Sequence, residues 1–88
     1  MSYDVTSAEH VGDYKLKLSF ENGRSGVVDF AGYVRRGGVF SKLQDLAFFK
    51  AFHVNAELGT VCWGDELDVA PETLYSEATG EPLPSWMT

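Results

Sequence analysis

The chain has 88 residues, of which 44% are hydrophobic and 14% aromatic, and this is the size and composition of one folded domain rather than of a disordered segment. Its 7 basic and 13 acidic residues give a net charge of −6, which disfavours direct nucleic-acid binding because that depends on Lys and Arg to neutralise phosphates. There is no apolar run near the roughly 20 residues that cross a bilayer, and no basic segment followed by an apolar run at the N-terminus. We therefore expect one cytoplasmic domain with no membrane contact, whose negative surface suits a basic protein partner.

The chain begins with two predicted strands. Residues 3–10 alternate weakly between apolar and polar. Residues 14–20 alternate strictly, which is the strongest secondary-structure signal in the sequence and is typical of a strand with one buried face. Leu16, Leu18 and Phe20 share that face.

Side-chain parity distinguishes between two hairpin loops after this strand. A two-residue Asn-Gly turn would pair Leu16 with Asp29 and place a carboxylate on the core face. A three-residue loop ending at a left-handed Gly23 pairs Leu16 with Val28 instead and also turns Phe30 inward. Because burying an unpartnered carboxylate costs several kcal/mol, we predict the three-residue loop.

Short helices follow the hairpin. The returning strand is predicted over residues 24–30, and residues 31–36 predict a helical turn that Gly37-Gly38 closes. Residues 39–43, which include Phe40, predict another short helix.

The middle of the chain predicts a helix and then a second hairpin. Asp45 is placed to cap a helix over residues 46–52. The inward residues of that helix are expected to be Leu46, Phe49 and one of Phe48 and Phe52. Residues 53–55 and 60–63 predict a hairpin that ends with Trp63.

The last part of the chain predicts a short extended piece at 67–69 and a helix over 71–78. Pro71 suits the first turn of that helix. Its packing residues are expected to be Leu74, Tyr75 and Ala78. We assign residues 1–81 to a single domain and residues 82–88 to a C-terminal tail rich in Pro and Trp.

The order of these elements predicts an α+β fold. We expect a small, mainly antiparallel sheet, made of two hairpins and an N-terminal strand, with two or three short helices on one face.

An ordered set of motifs runs along the chain. It comprises Leu16-x-Leu18-x-Phe20 leading into Glu21-Asn22-Gly23, Val28-Asp29-Phe30, Gly38-Val39-Phe40 followed by Leu43, Asp45 and Phe48-Phe49, Val54-Asn55, Gly59-Thr60-Val61 with Trp63, and Asp68 followed by Ala70-Pro71-Glu72 and Leu74-Tyr75. In these motifs the chain resembles the bacterial family catalogued as domain of unknown function 2442, over roughly residues 3–75. Trp63 is followed here by Gly-Asp-Glu-Leu-Asp, whereas family members often read Pro-Asn-Gly before the Asp.

The resemblance implies a small α+β fold and brings no established activity, cofactor or catalytic residue. Some relatives carry a helix-turn-helix domain after this module. Others look like the partner half of toxin–antitoxin pairs by gene neighbourhood, which is an associational hint.

Four acidic residues cluster near the last helix: Asp65, Glu66, Asp68 and Glu72. They suit a docking patch for a basic partner. The ligand spacing of a calcium loop is absent, so we predict no metal site. Asp68 precedes a helix N-terminus and is expected to cap it.

The nucleophile and soft-metal candidates are Cys62, His10 and His53. Their spacing matches neither a structural zinc site nor a Cys–His catalytic pair. We therefore predict no catalytic residue and no cofactor, and we expect Cys62 to be an ordinary buried residue.

Other polar residues and the aromatic residues receive structural interpretations first. Asp29 is expected to cap the turn at 31–36, and the Arg35-Arg36 pair is expected to complement the C-terminal end of that helix. Most aromatic residues are expected in the core. Trp86 lies in the tail, where it either folds back over the sheet or reaches into a partner, and the sequence favours neither.

These features favour a non-enzymatic protein-interaction module, either an adaptor or an antitoxin-like partner of a second protein. Its candidate contacts are an exposed strand edge, the acidic segment 65–72 and Trp86. One alternative is a small-ligand or enzyme site built at an oligomer interface, and another is a regulatory module acting with a separate DNA-binding chain. The open sheet edges also favour a homodimer.

Overall fold

The computed structural model describes residues 3–64 and 67–82, and within them the chain forms two three-stranded antiparallel sheets and four short helices. The strands are β1 (Val5–Gly12), β2 (Lys15–Phe20), β3 (Ser25–Asp29), β4 (His53–Asn55), β5 (Thr60–Trp63) and β6 (Leu67–Asp68). The helices are α1 (Ala31–Arg36), a 3₁₀ helix (Gly38–Gln44), α2 (Leu46–Lys50) and α3 (Pro71–Thr79). The predicted α+β class is confirmed, although the strands divide between two sheets where the sequence predicted one.

The first sheet has the order β1-β2-β3, and its hairpin has the predicted register. Leu16 pairs with Val28, and the loop ends at Gly23, whose φ is +88°. Leu16, Leu18 and Val28 are buried on one face, while Asp29 is exposed on the other. The three-residue loop therefore keeps the carboxylate out of the core, as parity requires.

One glycine of β3 is required by packing. Gly26 pairs with Leu18, and α3 crosses β3 so closely that a Cβ atom at position 26 would overlap the carbonyl oxygen of Ala78. The absence of a side chain at this position lets the helix lie against the sheet.

Residues 30–51 form α1, the 3₁₀ helix and α2 in succession. Asp45 caps α2 as predicted, since its carboxylate accepts a hydrogen bond from the backbone nitrogen of Ala47 at 3.0 Å. The expectation that Leu46 turns inward is wrong, because 39% of its surface is exposed. Leu43, which precedes Leu46 in sequence, and Phe49, which follows it, are both fully buried and fill the core beside α2.

The second sheet has the order β4-β5-β6. All four residues of β5 are buried, and the predicted hairpin of β4 and β5 is present. The extended piece predicted at 67–69 becomes a third strand, β6, in which Leu67 pairs with Trp63. The two sheets meet where the backbone nitrogen of Val5 donates to the carbonyl oxygen of Gly59 at 2.8 Å.

The last helix begins at Pro71 and stops before Gly80, which adopts a left-handed conformation with φ of +80°. Leu74 and Tyr75 are buried, as predicted. The described residues end with Pro82, so Trp86 of the predicted tail lies outside them.

The sheets and helices share one core. Phe30, Phe49 and Trp63 form its aromatic centre, with ring centroids 5.3–5.7 Å apart. The Trp63 indole nitrogen donates to the Phe49 carbonyl oxygen at 2.7 Å, so this buried polar atom is satisfied. In the described part of the chain, there is no helix long and apolar enough to cross a membrane.

Candidate functional site

A groove of about 540 Å³ lies between the helical segment and the second sheet. It is lined by Gly38, Val39, Ser41, Lys42, Phe48, Trp63, Gly64 and Leu67. We call it the helix–sheet groove. Its volume lies within the range of roughly 300–1,000 Å³ that is common for binding sites.

Local sequence explains how the walls of this groove arise. Trp63 ends β5 with its ring stacked on that of Phe49, and Gly64 then turns the chain with φ of +62°. Phe48 belongs to α2 and directly precedes Phe49, whose ring stacks on Trp63. The groove therefore has a rigid aromatic floor, which is held by a buried hydrogen bond and a ring contact.

The rim of the groove carries exposed apolar side chains beside Ser41 and Lys42, and it is open to solvent. Val39 has 74% of its surface exposed, while Phe48 and Leu67 are half-buried. Lys42 supplies a positive charge and is the one titratable residue among the described residues that line the groove. An arrangement of this kind can bind an apolar side chain, and its described lining residues include no acid–base pair for catalysis.

The predicted acidic cluster adjoins the groove only in part. Asp65 and Glu66 lie outside the described residues, but Gly64 and Leu67, which flank them in sequence, both line the groove. Asp68 is exposed on β6, and Glu72 is half-buried in the first turn of α3.

The prediction that Asp68 caps α3 is wrong. Ala70 occupies the N-cap position, and α3 has no side-chain cap hydrogen bond. Asp68 pairs with Cys62 in the second sheet instead. Strand pairing fixes Asp68 two residues before the cap, where its carboxylate cannot serve the first amides of the helix.

A second, smaller depression of about 150 Å³ lies on the outer face of the second sheet. Cys62 pairs with His53 on one side and with Asp68 on the other, so these three residues form a row across the strands, and all three line the depression. Burial, and then the negative charge of Asp68, raise the pKa of the Cys62 thiol. The thiol therefore keeps its proton at neutral pH and lacks the thiolate character of a nucleophile.

The remaining polar candidates are explained by local structure. Asp29 accepts a hydrogen bond from the backbone nitrogen of Ala31 at 2.9 Å, so it binds the first amide of α1, although the N-cap position itself is occupied by Phe30. Arg36 lies over the ring of Tyr33, with its guanidinium carbon 4.8 Å from the centroid. His10 belongs to the first sheet, where its Nε2 lies 2.8 Å from the carbonyl oxygen of Asp13.

The described residues contain no group of three His, Cys, Asp or Glu side chains that could hold a metal ion.

The residues on the rim of the groove could not be recognised from the sequence as a site. Val39 and Lys42 were placed in a short helix without a functional interpretation. A 3₁₀ helix repeats every three residues, so Phe40 and Leu43 share its inner side while Val39 and Lys42 share another. The signal available in the sequence was a valine three residues before Lys42, on the same side of this helix.

Comparison with known proteins agrees with the resemblance seen in the motifs. There is no match among curated proteins and none among solved structures. A family model described as "Protein of unknown function (DUF2442)" matches residues 5–80 of the 88. The match takes in both sheets and all the helices, and the chain therefore belongs to this family of unknown function.

Proposed function

We propose that the protein is a non-enzymatic interaction module whose helix–sheet groove receives an apolar side chain from a basic segment of a partner protein. The observation that carries the proposal is the exposed apolar rim above an aromatic floor. Val39 exposes 74% of its surface at this rim, and covering such a side chain stabilises a complex by about 1–2 kcal/mol.

The charge of the chain favours a basic partner. The net charge is −6, and the acidic pair Asp65-Glu66 stands in sequence between two residues that line the groove. Asp68 follows on β6, where it is exposed. The negative charge of the chain attracts a positively charged segment, while Lys42 on the 3₁₀ helix disfavours a cation beside it and so orients the segment.

A catalytic role has less support in the two depressions. Among its described lining residues, the helix–sheet groove offers Lys42 without an acid or base partner, and the smaller depression contains a thiol that keeps its proton at neutral pH. Its volume of about 150 Å³ is also below the range typical of small-molecule sites. A DNA-binding chain, whose surface is rich in Lys and Arg, is one class of basic partner that fits the groove.

Defined peptides test the proposal. The probes are capped pentapeptides with a central Leu flanked by Arg, the same peptide with Glu flanks, and the Arg peptide with a central Gly. Amide shifts of the protein are followed by NMR. We expect the Arg–Leu peptide to shift residues of the 3₁₀ helix, Phe48, Gly64 and Leu67, and we expect the other two peptides to bind at least about tenfold more weakly.

A matched pair of variants isolates the rim. Val39→Ser should weaken the Arg–Leu peptide about fivefold, which corresponds to about 1 kcal/mol of lost apolar contact. Val11→Ser changes a valine that is 46% exposed on the first sheet and should leave the affinity unchanged. The proposal fails if the Glu-flanked peptide binds as well as the Arg-flanked one, or if millimolar Arg–Leu peptide shifts no amide in the groove.

A further inference from the structure

The first sheet ends in an edge strand, β3, whose outward backbone groups have no partner in the described part of the chain. At one end of the hairpin, the backbone nitrogen of Phe20 donates to the carbonyl oxygen of Arg24. At the other end, the backbone nitrogen of Phe30 donates to the carbonyl oxygen of Tyr14. Hydrogen-bonded pairs alternate along an antiparallel ladder, so Gly26 and Val28 bond to β2. The residues between them, Ser25, Val27 and Asp29, point their N–H and C=O groups to the open edge.

This edge has few of the devices that usually protect a strand, since Asp29 is its one charged residue. Its pairing with β2 is continuous, and its sequence contains no Lys and no Pro. The opposite edge, β1, has two register shifts, and its first residue bonds to Gly59 of the second sheet. α3 approaches β3 at Gly26, whose pairing with buried Leu18 places that contact on the core face, so α3 leaves the edge itself uncovered.

We propose that this edge pairs antiparallel with the same edge of a second copy of the chain, with the two-fold axis at Val27. In this register Val27 faces Val27 of the second copy, and Ser25 faces Asp29 of the second copy. Three residues on each of two copies have outward groups, so three N–H groups from each copy make six hydrogen bonds. Every outward backbone group of the edge is then paired.

The side chains at this edge are compatible with self-pairing. Val27 is 49% exposed, and a β-branched pair across strands is favourable. Asp29 faces a serine hydroxyl of the second copy and has Lys15 opposite it within its own sheet. The two Asp29 carboxylates are four residues apart along the ladder, about 13 Å, so like charges do not face one another.

Sedimentation velocity tests the pairing with a matched set of variants. We expect the wild-type chain of 9.7 kDa to sediment with twice that mass at micromolar to millimolar concentration. Val27→Lys places a charge on the two-fold axis, and Val27→Pro removes an outward N–H without breaking a bond to β2, so both should sediment as monomers. Val11→Lys makes the same change at a valine of similar exposure and should leave the dimer intact.

Amide hydrogen exchange identifies the edge that pairs. In the wild-type dimer, the amides of Ser25, Val27 and Asp29 should exchange at least about tenfold more slowly than in Val27→Lys. Gly26 and Val28 should be protected in both proteins, and this shows that the variant keeps its sheet. A wild-type chain that stays monomeric overturns the proposal, as does a dimer that survives Val27→Lys or leaves those three amides in fast exchange.

Discussion

We predict that ionisation of the Tyr33 hydroxyl lowers the free energy of unfolding at alkaline pH. Tyr33 is buried, and its hydroxyl donates a hydrogen bond to the Glu77 carboxylate at 3.1 Å. Burial, followed by the negative charge of Glu77, raises the pKa of Tyr33 from 10.0 to about 12, while the positive charge of Arg36 acts in the opposite direction. The folded protein therefore holds this proton more tightly than the unfolded chain.

The sign and size of the effect follow from linkage. The contribution of Tyr33 to stability is complete below about pH 10, where both states keep the proton, and it is lost as the pH rises through about 12. Within this window each pH unit costs at most about 1.4 kcal/mol. Glu77 is exposed, and solvent screens part of its charge, so we expect a loss of about 1 kcal/mol between about pH 9 and about pH 11.

Urea unfolding of the wild type and of Tyr33→Phe at those two pH values measures this loss. The variant lacks the ionising hydroxyl, so the difference between the two proteins isolates Tyr33 from other alkaline effects. The phenolate absorbance of the wild type minus that of the variant gives the pKa of Tyr33 directly. Glu77→Gln should bring this pKa only part of the way back to 10.0, because the burial of Tyr33 remains. The reasoning is refuted if Tyr33 titrates near 10, or if Tyr33→Phe loses as much stability as the wild type.

Three further predictions concern packing, capping and thiol chemistry. Gly26→Ala should lower the free energy of unfolding by about 1–3 kcal/mol because its Cβ would overlap the carbonyl of Ala78, whereas Gly32→Ala, which meets no atom within 4 Å, should not destabilise the chain. Asp45→Ala should cost about 1 kcal/mol in urea unfolding through the lost cap of α2, and an unchanged midpoint would contradict that role. Cys62 in the folded protein should react with a thiol reagent about 100-fold more slowly than in the urea-unfolded chain, since it is buried and its pKa is raised, and equal rates would rule this out.

The first hairpin could be predicted because its determinants are local. Strict alternation around Leu16 and Leu18 sets the buried face, and the position of Asp29 then decides the loop length. A one-residue error would have put that carboxylate in the core, so a single sequence contained enough information to choose. The cap at Asp45 is local in the same sense, since it joins residues two positions apart.

The errors and omissions arise where tertiary contacts override local preference. Asp68 has a good capping residue type, but its pairing with Cys62 fixes it in a strand. Leu46 is apolar and still faces solvent, because other side chains already fill the core beside it. The groove was not predicted because it joins Val39 to Leu67, which are 28 positions apart, and no local pattern links them.

The two proposed surfaces belong to different parts of the fold, and this makes their combined effect testable. The groove lies between the helical segment and the second sheet, while the pairing edge is β3 of the first sheet. A dimer joined at Val27 carries two grooves, so a partner with two basic segments gains affinity from the second contact when its linker spans them. Val27→Lys should remove that gain while leaving the affinity for a single Arg–Leu peptide unchanged, whereas Val39→Ser should weaken both. Equal loss of single-peptide affinity in the two variants would mean that the edge and the groove are one surface rather than two.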